Sequence, residues 1–101
     1  MADLVNMRLN NVKELQGAIK VVHGCESRHV ASVPVKTLES ETAWEGWVEV
    51  FRIVGHPKAV VCYAWQYEDG SEMKSIAVLE IPPVDSPQSA VRVAIAATGK
   101  P

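Results

Sequence analysis

The segment AVVCYAWQY, residues 59–67, has no polar face, and this restricts the folds that are open to the chain. Side chains alternate between the two faces of a strand, and here large residues alternate with small ones. The large face has Val61, Tyr63, Trp65 and Tyr67, and the small face has Val60, Cys62, Ala64 and Gln66. A strand with one face in water alternates apolar with polar residues. Both faces of this strand therefore need cover.

A second strand, WVEVFRIV at residues 47–54, has the same character. One face has Trp47, Phe51 and Ile53, and the other has Val48, Val50 and Val54. The turn GHPK, residues 55–58, joins the two strands. Because a register change of one residue reverses the faces, the sequence leaves open which face of residues 47–54 aligns with Tyr63.

Two further strands flank this pair. MKSIAVLEI, residues 73–81, follows an Asp-Gly hairpin signal at residues 68–72. VASVPVKTL, residues 30–38, contains Pro34, which lacks an amide hydrogen and so belongs on an edge strand or at a bulge. Residues 39–46, ESETAWEG, are predicted to be a polar connection.

Helices are predicted at both ends of the chain. Residues 3–23 form the first, with a capping box at Asn11 and Glu14, or alternatively an earlier start capped by Asp3. Gly24 suits the position after the last helical residue. A second helix follows Ser86, an N-cap with proline next to it, and ends at Gly99.

This order of elements predicts a single α+β domain over residues 1–101. We expect a four-stranded, mostly antiparallel meander with the N-terminal and the C-terminal helix packed on one face. The small side chains of Cys62 and Ala64 favour helix packing on their side. The aromatic side of the strand then needs another cover, either a symmetric homodimer or a ligand cleft. The first helix packs on its own sheet or exchanges with a neighbour.

The aromatic residues are the predicted interface or binding residues. They are Trp44, Trp47, Phe51, Tyr63, Trp65 and Tyr67. Carboxylates at Glu45 and Glu49 lie among the tryptophans, a combination that can bind a cationic ligand through cation–π and charge contacts. On a strand these two carboxylates are about 13 Å apart, so they are not a catalytic pair. The plainer interpretation is an edge charge and a rim carboxylate.

The segment HGCESRH, residues 23–29, gathers two histidines and a thiol. His23, Cys25 and His29 could bind zinc with Cys62 as the fourth ligand, or Cys25 could be a nucleophile paired with a histidine. We favour a polar joint between helix and strand, because histidine is stabilised at a helix C-terminus. We therefore predict no metal and no cofactor.

Three isolated residues each have a structural interpretation. His56, in the GHPK turn, is a general base or a solvated turn residue. Cys62, between apolar neighbours, is predicted to be a buried thiol that acts as a small hydrophobe. Glu80, before two prolines, is predicted to be an edge charge that guards against aggregation.

Charge and composition exclude several partners. The formal net charge is −2 and the basic residues are scattered, which argues against nucleic acid as a partner. The longest apolar run, residues 59–65, is too short to span a bilayer. Two cysteines fit a reducing compartment, and the N-terminus is not typical of a secretory signal. The sequence predicts a soluble, cytoplasmic protein.

Several motifs carry a resemblance to a known family. They are WEG at 44–46, VEVF at 48–51, GHPKA at 55–59, CYAW at 62–65 and IPPVDSPQSAVRVAI at 81–95. Over about residues 32–96 the chain resembles a family of small bacterial proteins that are met as gene-cassette products of integrons and related mobile elements. The resemblance implies an orphan cassette protein and brings no established activity.

The predicted function is a small binding or interaction protein, a homodimer with an aromatic-lined interface or ligand pocket. The alternative is a small enzyme or metal-dependent protein that uses His23, Cys25, His29 or His56. A third idea is an antitoxin-like or adaptor-like partner of another chain. The sequence has no phosphate loop, Rossmann glycine pattern, G-x-S-x-G or H-E-x-x-H motif, which argues against a familiar enzyme class.

Overall fold

In the part of the chain that the structure describes, two helices and four strands form an α+β fold, as the sequence predicts. The computed structural model describes residues 2–39 and 42–98, and for residues 2–10, 39 and 42 it gives secondary structure alone. The elements are α1 (Ala2–His23), β1 (Glu26–Glu39), β2 (Thr42–Val54), β3 (Val61–Asp69), β4 (Glu72–Leu79) and α2 (Pro87–Thr98). The strands pair antiparallel in the order β1-β2-β3-β4, which is the predicted meander.

Local signals in the sequence mark the ends of both helices. Helix α1 ends at Gly24, which has a φ of 71° and donates its N–H to the Lys20 carbonyl at 2.9 Å. Glycine adopts this left-handed conformation without steric cost. Helix α2 begins after Ser86, whose hydroxyl accepts a hydrogen bond from the Ser89 N–H at 3.1 Å, so the predicted N-cap is confirmed.

Strands β1 and β2 are longer than the sequence predicts. Strand β1 starts inside HGCESRH, and β2 includes residues 42–46, which we expected to be a connection; residues 40 and 41 lie outside the described residues. The two strands pair without a break from Glu26 opposite Val54 to Glu39 opposite Thr42, apart from one bulge at Val30. Cross-strand pairing therefore overrides the weak β preference of these polar residues.

The two predicted turns are present. In the GHPK turn, Gly55 has a φ of 89°, and His56 Nδ1 accepts hydrogen bonds from the backbone N–H groups of Lys58 and Ala59, each at 3.0 Å. His56 thus holds the turn together instead of being merely solvated. In the hairpin between β3 and β4, Gly70 has a φ of 66°.

The pairing of β2 with β3 determines which residues share a face. Val50 lies opposite Tyr63, and Phe51 lies opposite Cys62. We call the face of Phe51 and Cys62 the α1 face, and the face of Val50 and Tyr63 the α2 face. The question that the sequence left open is thereby answered, because Phe51 lies on the face away from Tyr63.

The helices cover opposite faces of the sheet, so our prediction that both pack on one face is wrong. The buried core under α1 consists of Leu15, Ile19, Cys25, Phe51, Ile53, Ala59, Cys62 and Ala64. The core under α2 consists of Val35, Val48, Tyr63, Trp65, Val84, Ala90, Val91, Ala94 and Ile95. We assumed that the sheet must supply the small side chains for helix packing. On the α2 face the helix supplies them, because Ala90 and Ala94 let it approach the large rings.

Tyr63 connects the α2 core to the segment after β4. Its hydroxyl donates a hydrogen bond to the Glu80 carboxylate. Burial, together with this hydrogen bond, raises the pKa of Tyr63 above its ordinary value. Glu80, which we predicted to be an edge charge, is therefore a structural acceptor.

No helix in the described part of the chain combines the length and the apolar character that crossing a membrane requires.

Candidate functional site

The sheet divides into two hairpins at one end. The described ladder between β2 and β3 runs from Glu49 to Arg52, opposite Ala64 to Val61, and the Ile53 N–H donates to the Val60 carbonyl just beyond it. Beyond Glu49, β2 stays paired with β1 as far as Thr42, and β3 stays paired with β4 as far as Asp69. We call the gap between the hairpins the fork. Residues 49–54 are the closed half of β2, and residues 42–48 are its forked half.

A cavity of about 450 Å³ occupies the fork, and we call it the notch. Its lining residues are Asn11, Trp44, Glu45, Gly46, Trp47, Gln66, Tyr67, Glu68 and Met73. Three of the six aromatic residues that the sequence singled out, Trp44, Trp47 and Tyr67, are thus brought together around one cavity. Its volume falls within the range of small-molecule sites.

Trp44 is fixed in place by Gly46 and Trp65. A Cβ atom on Gly46 would lie 2.7 Å from a ring carbon of Trp44, so only glycine leaves room for this ring. The rings of Trp44 and Trp65 are 6.1 Å apart between centroids, at an interplanar angle of 48°. This contact spans the fork, because Trp44 belongs to β2 and Trp65 to β3. Trp44 therefore lines the notch while its ring packs against Trp65 at the edge of the α2 core.

Helix α1 forms another side of the notch. Gln66 Nε2 donates a hydrogen bond to Glu14 at 2.6 Å, which ties α1 to β3. Asn11, almost one helical turn before Glu14, lines the cavity. The predicted capping residues Asn11 and Glu14 lie inside α1, so they are available for these contacts instead of capping it.

The charged residues among the described lining of the notch are glutamates, and Lys36 lies directly opposite Glu45 on β1. Glu45 and Glu68 line it and are exposed, and the described lining residues include no lysine or arginine. Aromatic rings attract cations through their negative faces, and carboxylates attract them by charge. The notch therefore suits a positively charged group better than a neutral or an anionic one.

The other three aromatic residues lie in the cores. Phe51 is fully buried on the α1 face, and Tyr63 and Trp65 are buried beneath α2. Our prediction that the aromatic side of β3 lacks cover within one chain is therefore wrong, since α2 covers it. The homodimer was inferred mainly from that missing cover, and it stays a prediction.

The side chains of HGCESRH have separate partners. His23 Nε2 lies 2.9 Å from the Ala77 carbonyl, to which it donates, and the buried Cys25 thiol donates to the His23 carbonyl at 3.4 Å. His29 lies further along β1, beside Glu49. Within the described ranges, no group of three or more histidine, cysteine, aspartate or glutamate side chains is placed to hold a metal ion.

The structure contains a buried polar cluster that the sequence did not predict. Glu49 is only 5% exposed, and its Oε1 accepts a hydrogen bond from Ser32 Oγ at 2.6 Å and lies 3.1 Å from His29 Nε2. The bulge at Val30 shifts the alternation of β1, so that His29 and Ser32, three residues apart, both lie on the α1 face. No glycine marks this bulge, so the sequence gives no signal of it.

This cluster is not arranged for nucleophilic catalysis. Ser32 gives its hydroxyl proton to Glu49, and His29 Nε2 is 3.4 Å from Ser32 Oγ but closer to the carboxylate. A catalytic pair needs the hydroxyl to donate to the imidazole instead. The cluster stabilises a buried carboxylate, and the predicted rim position of Glu49 is wrong.

Cys62 is a fully buried thiol, as predicted. Burial, with a smaller contribution from the neighbouring Cys25, raises the pKa of Cys62 from 9.0 to about 12. The thiolate, which is the reactive form, is therefore suppressed.

No protein-family model, curated protein or solved structure matches the chain. The resemblance to integron cassette proteins stays a prediction, and the functional argument rests on the geometry of the notch.

Proposed function

We propose that the protein is a small binding protein whose notch takes up a cationic group of a ligand or partner. The observation that carries this proposal is that three aromatic residues and two glutamates line one cavity. They are Trp44, Trp47, Tyr67, Glu45 and Glu68. The proposal keeps the binding role that the sequence suggests and restricts it to three of the six predicted aromatic residues.

The expected affinity is modest. A cation over an aromatic ring gains about 0.5–1 kcal/mol at an exposed site and about 2 kcal/mol when water is excluded. A surface carboxylate adds on the order of 1 kcal/mol. Because association itself costs several kcal/mol, these small gains predict a dissociation constant on the order of millimolar.

A titration with charged and neutral probes tests the proposal. Choline and arginine methyl ester should quench tryptophan fluorescence and shift the indole NMR signals of Trp44 and Trp47. The neutral isostere of choline, 3,3-dimethyl-1-butanol, should have a much smaller effect, because it lacks the charge. Equal binding of choline and its isostere would contradict the proposal.

Matched variants locate the site. Glu68→Gln removes a notch carboxylate and should weaken choline binding several-fold. Glu26→Gln is the control, because Glu26 is also exposed but pairs with Lys20 at the opposite end of β1. Trp47→Ala should weaken binding by about tenfold through the lost cation–π contact. If Glu68→Gln and Glu26→Gln bind choline equally well, the notch is not the site.

The enzyme alternative finds less support. His23, Cys25, His29 and His56 each have a structural hydrogen-bond partner, and they are not gathered around the notch. The homodimer is a separate proposal that sedimentation velocity can test. A monomeric chain would leave the notch proposal intact.

A further inference from the structure

Two arginine side chains lie next to each other on the α2 face of the sheet. Arg28 on β1 is directly opposite Arg52 on β2, and both side chains are exposed. Side chains in this position begin about 5 Å apart at their Cβ atoms, so both guanidinium groups can reach one small group between them. Val50, two residues from Arg52, packs against the α2 core, and the arginines lie beyond it. We call Arg28 and Arg52 the arginine pair.

The arginine pair has no carboxylate partner in the described part of the chain. The hydrogen bonds and ion pairs among the described side chains include neither guanidinium group. Two carboxylates at this end of the α2 face have other partners, since Glu26 pairs with Lys20 and Glu80 accepts a hydrogen bond from Tyr63. Both positive charges are therefore available to a ligand.

Strand pairing holds the backbone of the arginine pair in place, although the pair costs stability. Ser27 opposite Ile53 and His29 opposite Phe51 flank it, so the ladder continues on both sides. Like charges directly opposite each other on two strands destabilise a sheet. An anion between the two guanidinium groups replaces this repulsion with attraction. The arrangement therefore suits a protein with a bound anion better than one without.

The charge and the hydrogen-bond donors of the arginine pair select the kind of anion. The planar guanidinium group forms paired hydrogen bonds with carboxylate and phosphate oxygens. A carboxylate carries a single negative charge, which leaves one of the two arginines unbalanced. A phosphate monoester carries nearly two negative charges at neutral pH and has three strong acceptor oxygens, so it can bind and balance both arginines.

We propose that Arg28 and Arg52 form a binding site for the dianionic phosphate group of a phosphate monoester. The site adjoins the closed half of β2, whereas the notch lies at the forked half, so this inference does not depend on the proposed function. Because both arginines are exposed and contacts between exposed charges are weak, the expected dissociation constant is on the order of millimolar.

A titration at pH 7.5 compares methyl phosphate, a dianion, with dimethyl phosphate, a monoanion of similar shape, at constant ionic strength. NMR follows the backbone amide signals of Arg28 and Arg52. We expect the dissociation constant of methyl phosphate to be lower by about fivefold or more, because only the dianion balances both charges. Equal dissociation constants would overturn the proposal, and so would the absence of a shift in these signals.

Variants locate the site. Arg28→Gln and Arg52→Gln should each weaken the binding of methyl phosphate by about fivefold, the loss expected for one exposed charge contact. Lys13→Gln is the control, because Lys13 is an exposed cation on α1, which covers the other face of the sheet. Neither arginine variant should melt at a lower temperature than the wild-type protein without phosphate, since each removes a repulsion. Equal binding by all three variants would overturn the proposal.

Phosphate monoesters occur both as soluble molecules and as lipid headgroups. Cosedimentation with phosphatidylcholine vesicles that contain phosphatidic acid distinguishes these sources. Sedimentation that is lost in Arg28→Gln would support the site and assign the phosphate to a lipid, whereas binding of methyl phosphate without sedimentation would support it with a soluble ester. Equal sedimentation of the wild-type protein and Arg28→Gln would count against the arginine pair.

Discussion

On the α1 face of β2, similar side chains are buried in the closed half and exposed in the forked half. In the closed half, Phe51 is fully buried and Ile53 is 5% exposed, because strands flank β2 on both sides and α1 covers the face. In the forked half, Trp47 is 52% exposed, and it lies beyond Glu49, where the β2–β3 ladder ends. An aromatic residue on a strand therefore becomes core or surface according to its position along the sheet, which its own sequence does not reveal.

Sheet twist accounts for the fork. Neighbouring strands rotate by about 20–25° relative to each other, so two long hairpins joined at one end diverge at the other. The β1–β2 ladder runs from Glu26 to Glu39, and the β3–β4 ladder extends to Asp69, well beyond the four residue pairs that join β2 to β3. The large rings of Trp44 and Trp65 lie where the strands separate.

The largest expected difference between the halves is in stability. Phe51→Ala should lower the free energy of unfolding by about 3–5 kcal/mol, because it opens a cavity in the α1 core. Trp47→Ala should lower it by about 1 kcal/mol or less, since much of the ring is already in water. Urea unfolding followed by circular dichroism measures both. Equal losses would show that Trp47 contributes to stability as a core residue does.

Trp65→Ala is a second test of the comparison between buried and exposed aromatic residues. Trp65 is fully buried under α2 and should behave like Phe51, with a loss of about 3–5 kcal/mol. The variant should lose stability without a change in the oligomeric state of the folded fraction. A stable variant with a changed sedimentation coefficient would instead restore the intermolecular role that we inferred from the sequence.

The next largest loss of stability is expected in the buried polar cluster, which lies where the closed half of β2 meets its forked half. Ser32→Ala removes a hydrogen bond to the buried Glu49 carboxylate and should cost about 1.5–3 kcal/mol. Ser75→Ala is the matched control, because Ser75 is exposed on β4. If thermal or urea unfolding shows the same stability for the two variants, the hydrogen bond from Ser32 does not stabilise the buried Glu49 carboxylate.

The raised pKa of the Cys62 thiol, which lies opposite Phe51 in the closed half, predicts that the free energy of unfolding depends on pH. Its pKa is raised from 9.0 to about 12, so the unfolded chain loses this proton at lower pH than the folded protein. The contribution to stability is full below pH 9 and is lost as the pH rises towards 12, by about 1.4 kcal/mol per unit. Cys62→Ala should reduce this slope, and Tyr63, whose pKa is also raised, should supply part of the remainder. An unchanged slope in Cys62→Ala would contradict the assignment.

The smallest expected effect on stability comes from two exposed arginines. Arg28 and Arg52 lie directly opposite each other across β1 and β2, and like charges in this position are destabilising. Arg28→Glu should raise the free energy of unfolding by about 0.2–1 kcal/mol at low salt, and the gain should shrink at high salt. Arg92→Glu, on an exposed position of α2, serves as the control. A gain that persists in 1 M salt would point to a cause other than charge.

Local signals in the sequence were sufficient to predict the order of elements. Gly24, Gly70 and the Ser86 cap act within a few residues, so their effects are visible in the sequence pattern. The alternation of large and small residues in β3 also predicted correctly that both of its faces are covered.

Features that depend on distant parts of the chain were missed. The strand at residues 42–46 forms because β1 pairs with it, not because its own residues prefer β structure. The placement of α2 depends on its alanines meeting the rings of Tyr63 and Trp65. Three residues of the notch, Trp44, Trp47 and Tyr67, were predicted from the sequence. Glu68 and Met73 were not predicted, because the β3–β4 hairpin brings them to the notch.

The bulge at Val30 was hidden for a different reason. A bulge is visible in sequence when glycine or an interrupted pattern marks it, and neither occurs in HVAS, residues 29–32. Without the bulge, His29 and Ser32 would point to opposite faces, and Glu49 would be left with one partner fewer. A single unpaired residue thus decides whether a carboxylate can be buried.

The notch places two carboxylates, those of Glu45 and Glu68, at the forked end of the sheet. Identical copies of the chain that meet at this end repel each other, because like charges are brought together. Since dissolved ions weaken that repulsion, the protein should precipitate more readily in concentrated salt.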